Sequence, residues 1–447
     1  MVRLGCMIFA LAATPFGLAA SASPTVPAAT NAAVPEPALR DLKEVFPRNG
    51  IPRVLRKLEA GQSLRVAYLG GSITAQKGWR VQSLDWLRRQ YPQARIDEIR
   101  ATVGGTGSEL GVFRLRSDVL DKKPDLLFVE FAVNDGKARP SDIHKSIEGI
   151  VRQTWRTVPD CDIVFIYTVT GSHVRRLRIG KMEPAASAME DVADHYGIPS
   201  IHFGVEIARL LQEGKLVMSS SGARVERVSG EELDMTTPLP TDEQGRIVFS
   251  RDGVHPYLDT GHMLYTRTFV RAMEPIRAVR ATAPLAATPR TLRDPFDAGN
   301  WEKATAVPLG SSPALQVDGS FSVSKDGVIW RLEPGTTLRF RFRGTKVAFY
   351  DYLGPNSGMI EVSLDGEKRT VTRFDGYCTY RRQHMVVVGD NLPPGEHEVT
   401  VTVLADQVDK RNILFARNRE DFDKNPAKYE GNIWHVRSVL LIGELIE

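Results

Sequence analysis

Arg65-Val66-Ala67-Tyr68-Leu69, followed at once by Gly70-Gly71-Ser72-Ile73-Thr74, is the stretch that decides the fold. The first five residues make a short apolar run without clean alternation, and two glycines stop it. Such a run suits a strand covered on both faces, as in a parallel sheet. Residues 125–131, residues 162–167 and, more weakly, residues 198–201 repeat the pattern. Between them Ile143, Ile147, Ile150 and Val151 recur at helical spacing, with Ser141 as the expected N-cap. Met189, Val192, Ala193 and Tyr196 do the same, and Gly197 is a natural helix stop. From about Leu64 to Arg277 this alternation predicts a parallel sheet with helices on both faces. Ligands in such sheets bind at the carboxyl ends of the strands, so chemistry is expected in the loops just after each strand.

The texture changes on either side. Residues 281–290, rich in Ala, Pro and Thr, read as a linker. Beyond them short alternating stretches appear at residues 337–342, 359–364 and 397–403, with turn signals at Asp365-Gly366 and Pro393-Pro394-Gly395. That pattern predicts an antiparallel β-sandwich over residues 291–447, with residues 412–432 a long irregular loop before a last strand at 436–442. At the other end Arg3, an apolar stretch from Met7 to Ala20 and the small residues Ala20-Ser21-Ala22 read as an export signal over residues 1–22. Residues 23–40 read as a low-complexity linker, since a Pro-rich, small-residue run cannot build a core. Cys6 precedes the apolar stretch, which speaks against lipidation. The parallel-sheet domain is thereby expected over residues 41–280.

The chain has 447 residues, 42% apolar and 25% charged, with a net charge of +4. Length and composition suit two or three folded domains. No Lys/Arg block marks a nucleic-acid surface. After the signal no segment is apolar and long enough to span a bilayer. Cys161 and Cys378 make neither a disulfide framework nor a Cys-rich zinc site.

Four loops carry residues suited to chemistry. Ser72 sits where a strand turns into a helix, with backbone N–H groups near its Oγ. Gly104-Gly105-Thr106-Gly107 reads as a flexible loop, or as one that brings the Gly105 N–H close to a substrate oxygen; no Lys-Ser/Thr follows, as a phosphate loop requires. Asn134-Asp135 follows the second strand run, and an Asn amide there can donate to an oxyanion. Asp252-Gly253-Val254-His255-Pro256 places a carboxylate three residues from an imidazole, close enough for one loop to hold both. His262 is a second imidazole nearby, read as a satisfied helix residue. Glu130 and Asp135 are read as structural hydrogen-bonding groups, and Trp79 as a packing residue.

In content and order these four blocks resemble the SGNH/GDSL hydrolase superfamily over about Leu64 to Arg277. The resemblance implies a flavodoxin-like three-layer α/β/α domain. It also implies Ser72 as nucleophile, Asp252 and His255 as its base system, and an oxyanion hole from Ser72, Gly105 and Asn134, with no cofactor and no metal. The first block departs from Gly-Asp-Ser-Leu, reading Gly-Gly-Ser-Ile-Thr. Arg100 stands where the second block often has Asn, which leaves the support of the Gly105 loop open.

Export, a sandwich of carbohydrate-binding size and the absence of a long apolar lid tilt the expected substrate towards an acetylated glycan. The sandwich is expected either to bind sugar through Trp330, Tyr350, Tyr352, Tyr377 or Tyr380 or to brace the catalytic domain, and most of these aromatics are expected to pack inside. A lipid-type esterase and a non-catalytic glycan-binding protein are the rival readings.

Overall fold

The run at 65–69 forms the middle of β2 (Leu64–Gly70), an inner strand of a six-stranded sheet. Its neighbours are β1 (Val45–Phe46), β3 (Ile96–Thr102), β4 (Leu126–Glu130), β5 (Asp162–Tyr167) and β6 (Ser200–His202), in the order β1-β6-β5-β4-β2-β3. All pairs are parallel except β1 with β6. Five parallel strands in this order are those of a flavodoxin-like sheet, with its topological switch beside β2. The structure, a computed structural model, describes residues 39–220, 236–279, 290 and 292–447. The expected export signal, the linker up to residue 38 and residues 281–289 lie outside these.

Helices cover both faces. Successive strand residues point to opposite sides, so the sheet separates two apolar clusters. On one side Ala67, Leu69, Leu127 and Val129 pack against α4 (Ser108–Asp118), α5 (Pro140–Thr157) and α7 (Pro184–Tyr196). On the other, Val66, Tyr68, Leu126 and Phe128 pack against α1 (Pro52–Glu59), α3 (Trp79–Gln90), α8 (Gly204–Gln212) and α9 (Gly261–Ala278). Helix α7 stops at Gly197, whose φ of 67° is left-handed, as the sequence suggests. The expected cap of α5 is corrected: Arg139, not Ser141, is the N-cap, because Pro140 occupies the first turn with its φ already helical.

Strand β3 escaped the sequence reading. It is the outer strand, so Asp97, Glu98 and Arg100 interrupt its apolar positions. A further parallel pair, β7 (Leu216–Ser219) and β8 (Ile247–Ser250), also escaped it; β8 leads directly into the Asp252–His255 loop.

The C-terminal part is a ten-stranded, antiparallel sheet that wraps one apolar cluster containing Phe340, Phe342, Phe349, Val399 and Trp434. Its spine is β13 (Thr337–Leu353), 17 residues long, of which the alternating stretch 337–342 is only the first third. β13 pairs first with β17 (Gly395–Val403), then with β16 (Arg382–Gly389), and along its other edge with β18 (Trp434–Ile446). Where β13 and β18 bend, Gly344 faces Gly443; a Cβ on either would strike the opposite backbone. Asp365-Gly366, both at positive φ, join β14 (Met359–Leu364) to β15 (Glu367–Thr372) in a two-residue turn. Residues 412–432 are not the irregular loop expected. Lys410–Ile413 and Arg419–Lys424 are helical, and Leu414 and Tyr429 close a small cluster with Leu353, Phe374 and Cys378. Elements this short carry too few residues for a period to be visible.

The two parts share a core. One face of β13 gives Val347 and Phe349 to its own sheet's cluster; the other gives Ala348 and Tyr350 to the cluster around α4 and α5, joined by Leu440 of β18 and by Trp301. Lys346 pairs with Glu109 of α4 at 2.6 Å across this seam. Residues 292–303 run over α5, where the Glu148 carboxylate accepts the N–H groups of Phe296 (2.6 Å) and Asp297 (2.8 Å).

Candidate active site

Ser72 follows β2 and Gly71 and opens α2 (Ser72–Ala75), a single helical turn. Its Oγ lies 2.8 Å from Nε2 of His255, and Nδ1 of His255 lies 2.8 Å from Oδ2 of Asp252. Opposite a carboxylate, Nδ1 carries the proton and donates it, so Nε2 is free to accept from the Ser72 hydroxyl. The other oxygen of Asp252 accepts the backbone N–H groups of Val254 (2.9 Å) and His255 (2.8 Å). Partial burial works to raise the Asp252 pKa, but the hydrogen bonds from the His255 ring and from these N–H groups prevail and hold it below the usual carboxylate value. The loop is pinned underneath: Gly253 N–H donates to Ser250 Oγ (2.7 Å) and Ser250 Oγ–H to the Met218 carbonyl (2.8 Å). The structure thus brings Ser72, Asp252 and His255, 183 residues apart at the widest, into one hydrogen-bonded line.

Asn134 and Gly105 come to the same sheet edge. The Asn134 side chain lies over Gly71, where a Cβ would collide with its Oδ1. Gly104 packs near Ser72, and Gly105, at φ +73°, lines the same cavity as Ser72 and His255. Arg100 does not support this loop; its Nε donates to Thr102 at 3.2 Å. Support comes instead from Asp135, 4% exposed, whose Oδ1 accepts the Ser108 N–H at 2.9 Å. A Cβ on Gly107 would collide with that same oxygen. Burial pushes the Asp135 carboxyl up to about 7 against the lowering pull of Ser108, and nearby Glu109 and Glu130 add to the rise. Glu130, wholly buried, accepts the hydroxyls of Thr74 and Thr168, each at 2.7 Å, and so ties the Ser72 turn to the loop after β5. Its burial raises its pKa, and the hydrogen bonds from Thr74, Thr168 and Gly71 offset part of that rise.

His262 is fully buried and committed. Its Nδ1 accepts the Trp79 N–H and its Nε2–H donates to Gln76, each at 3.2 Å. Burial, with His255 and Arg80 near, lowers its pKa to about 3, which keeps it neutral. Trp79 is core, edge-on to Tyr68, Phe128 and Phe203.

The Ser72 cavity, about 860 Å³, has a second wall built by the C-terminal domain: Tyr352, Tyr377, Tyr380, Arg381, Arg382 and His384. Of the aromatics considered for sugar binding, Tyr352, Tyr377 and Tyr380 lie here, the last two 47% and 59% exposed. Tyr350 is buried in the seam between the domains, and Trp330 stacks on Phe321. The arginines and His384 were missed. The run Tyr377-Cys378-Thr379-Tyr380-Arg381-Arg382-Gln383-His384 was a visible signal, since aromatics and cations crowd eight consecutive residues.

Residues 68–225 match the sequence profile of the GDSL-like Lipase/Acylhydrolase family. Two solved structures resemble nearly the whole chain: a two-domain esterase active on acetylated mannans, at 18% identity and a TM-score of 0.67, and the same type of enzyme co-crystallized with mannopentaose, at 17% and 0.66. Each match covers 90% of this chain and 98% of the other. No curated protein matches the sequence. The C-terminal sheet thus belongs to a two-domain fold already seen, and residues 68–225 carry the profile of a GDSL-like lipase/acylhydrolase domain.

Proposed function

We propose that the protein removes O-acetyl groups from a glycan by two-step acyl transfer through Ser72. The observation that carries the proposal is the hydrogen-bonded line Ser72–His255–Asp252 at 2.8 Å and 2.8 Å. His255 takes the Ser72 proton as Oγ attacks the acetyl carbonyl carbon, and Asp252 holds the imidazole tautomer and stabilises the imidazolium. The N–H groups of Ser72 and Gly105 and the Asn134 amide receive the tetrahedral oxyanion. His255 then protonates the departing sugar oxygen as the C–O bond breaks. Water, deprotonated by His255, releases acetate from acetyl-Ser72.

The acetyl-glycan part of the reading is supported by the open, tyrosine-bearing cleft and by the activity of the two-domain esterase that shares this fold. Export through residues 1–22 belongs to the same proposal, and the N-terminal residue of the secreted protein checks it. The central test is acetate release from acetylated polysaccharides by the parent protein and by Ser72→Ala. We expect release by the parent and none by the folded variant; activity retained in Ser72→Ala would overturn the assignment.

A further inference from the structure

The second-domain wall of the Ser72 cleft has an unbalanced charge. Arg382 is paired with Asp375, so these two cancel. His384, largely buried, is held below the ordinary imidazole range by that burial and by Arg373, whose Nη2 donates to its Nδ1 at 3.2 Å, so it adds no charge near neutral pH. Arg381 has no carboxylate partner among the described residues; its guanidinium lies over the Tyr352 ring at 5.9 Å. Arg417 likewise lacks an acid partner among them and lies over the rings of Phe415 (5.1 Å) and Tyr377 (5.8 Å). The opposite wall, formed by Ser72, Val103, Gly104, Gly105 and His255, carries no acid of its own, and Asp252 behind it is committed to His255. An aromatic ring holds a guanidinium by its face and leaves the planar fork of N–H donors unused, the geometry that suits a carboxylate.

We propose that Arg381, which lines the cleft, binds the carboxylate of a uronic acid residue, with Arg417 adding positive charge next to the Tyr377 ring, so that the preferred substrate is an O-acetylated acidic glycan. The inference rests on the glycan-deacetylase reading and narrows it to a charge class. The acetyl group enters between Ser72 and Gly105, and the sugar bearing the carboxylate lies along the tyrosine wall. The positive wall also draws a polyanionic chain into the cleft, a long-range effect that salt weakens.

The experiment compares acetate release from O-acetylated polygalacturonate and O-acetylated glucomannan, matched in acetyl content, with p-nitrophenyl acetate as a small ester. At low salt kcat/KM for the acidic polymer is expected to exceed that for the neutral one by about tenfold, the scale of one charge-assisted hydrogen-bonded pair. The ratio should shrink as sodium chloride is added, and it should fall towards one in Arg381→Ala/Arg417→Ala. Arg381→Lys, which keeps the charge and loses the fork, should lie between. Equal or better turnover of the neutral polymer, or an acidic preference that survives in the double variant, would overturn the proposal. If neither polymer yields acetate while p-nitrophenyl acetate is cleaved, the glycan reading itself falls and this inference with it.

Discussion

At the scale of single residues the site depends on groups that never touch substrate. Asp135 joins the Asn134 loop to the start of α4 through the Ser108 N–H, and Gly107 leaves room for it. Replacing it by Asn keeps an acceptor at Oδ1; replacing it by Ala leaves that N–H unpaired. We expect Asp135→Ala to lower kcat on p-nitrophenyl acetate with little change in KM, and Asp135→Asn to restore most of it. The same carboxyl predicts a pH effect. Its folded pKa, about 7, lies above its ordinary value of 3.8. The folded state therefore holds more protons than the unfolded one between these values, and stability is lost as pH rises across that window. Asp135→Asn removes the titration, so its melting temperature relative to the parent should climb from pH 4 to pH 7 and then level off; a flat difference would refute the shift. Asn134→Ala should reduce kcat by roughly 100-fold, the usual cost of one oxyanion donor, with KM nearly unchanged in steady-state kinetics.

Among elements, the loops at the carboxyl ends of the strands are held by close approach. Gly78 precedes α3 and lies so near the His262 ring of α9 that a Cβ there would overlap it. Gly78→Ala must displace either the helix start or His262, whose bonds to Trp79 and Gln76 join α9 to the segment after Ser72. We expect a clear fall in melting temperature, by roughly 1–3 kcal/mol of overpacking strain, together with reduced activity in the folded protein. Full stability in that variant would mean that α9 has room to move.

Over the whole molecule the shared seam couples the two sheets. Ala348, Tyr350, Leu440 and Trp301 lie in the same cluster as Val112, Phe113 and Ile147, so neither part closes its core alone. Calorimetry should record one unfolding transition for the full chain, whereas two independent domains would give two. Tyr350→Ala removes the largest side chain that β13 contributes to the seam and should cost about 3 kcal/mol of stability. The same seam brings Tyr377, Tyr380 and Arg381 to the cleft, so the C-terminal part both braces the catalytic sheet and forms a wall of its site.

The parallel sheet was legible because its inner strands are covered on both faces and must be apolar: the runs at 65–69, 125–131 and 162–167 correspond to β2, β4 and β5. Strand β3 was hidden for the complementary reason, since an outer strand tolerates charge. Ser72 and Asn134 stood out because each follows a predicted strand, Gly105 because it sits in a glycine-rich run, and Asp252 and His255 because their spacing suits one loop. Three matters were decided only by tertiary structure. His262 was excluded from proton transfer by burial between Trp79 and Gln76. The support for the Gly105 loop came from Asp135, whose contact with Ser108 spans 27 residues. The second wall of the cleft arose from a strand that bends at Gly344 and gives its two faces to two cores. Local patterns report how a residue sits in its own element; which distant surface it meets is fixed by packing between elements, which leaves no period in the sequence.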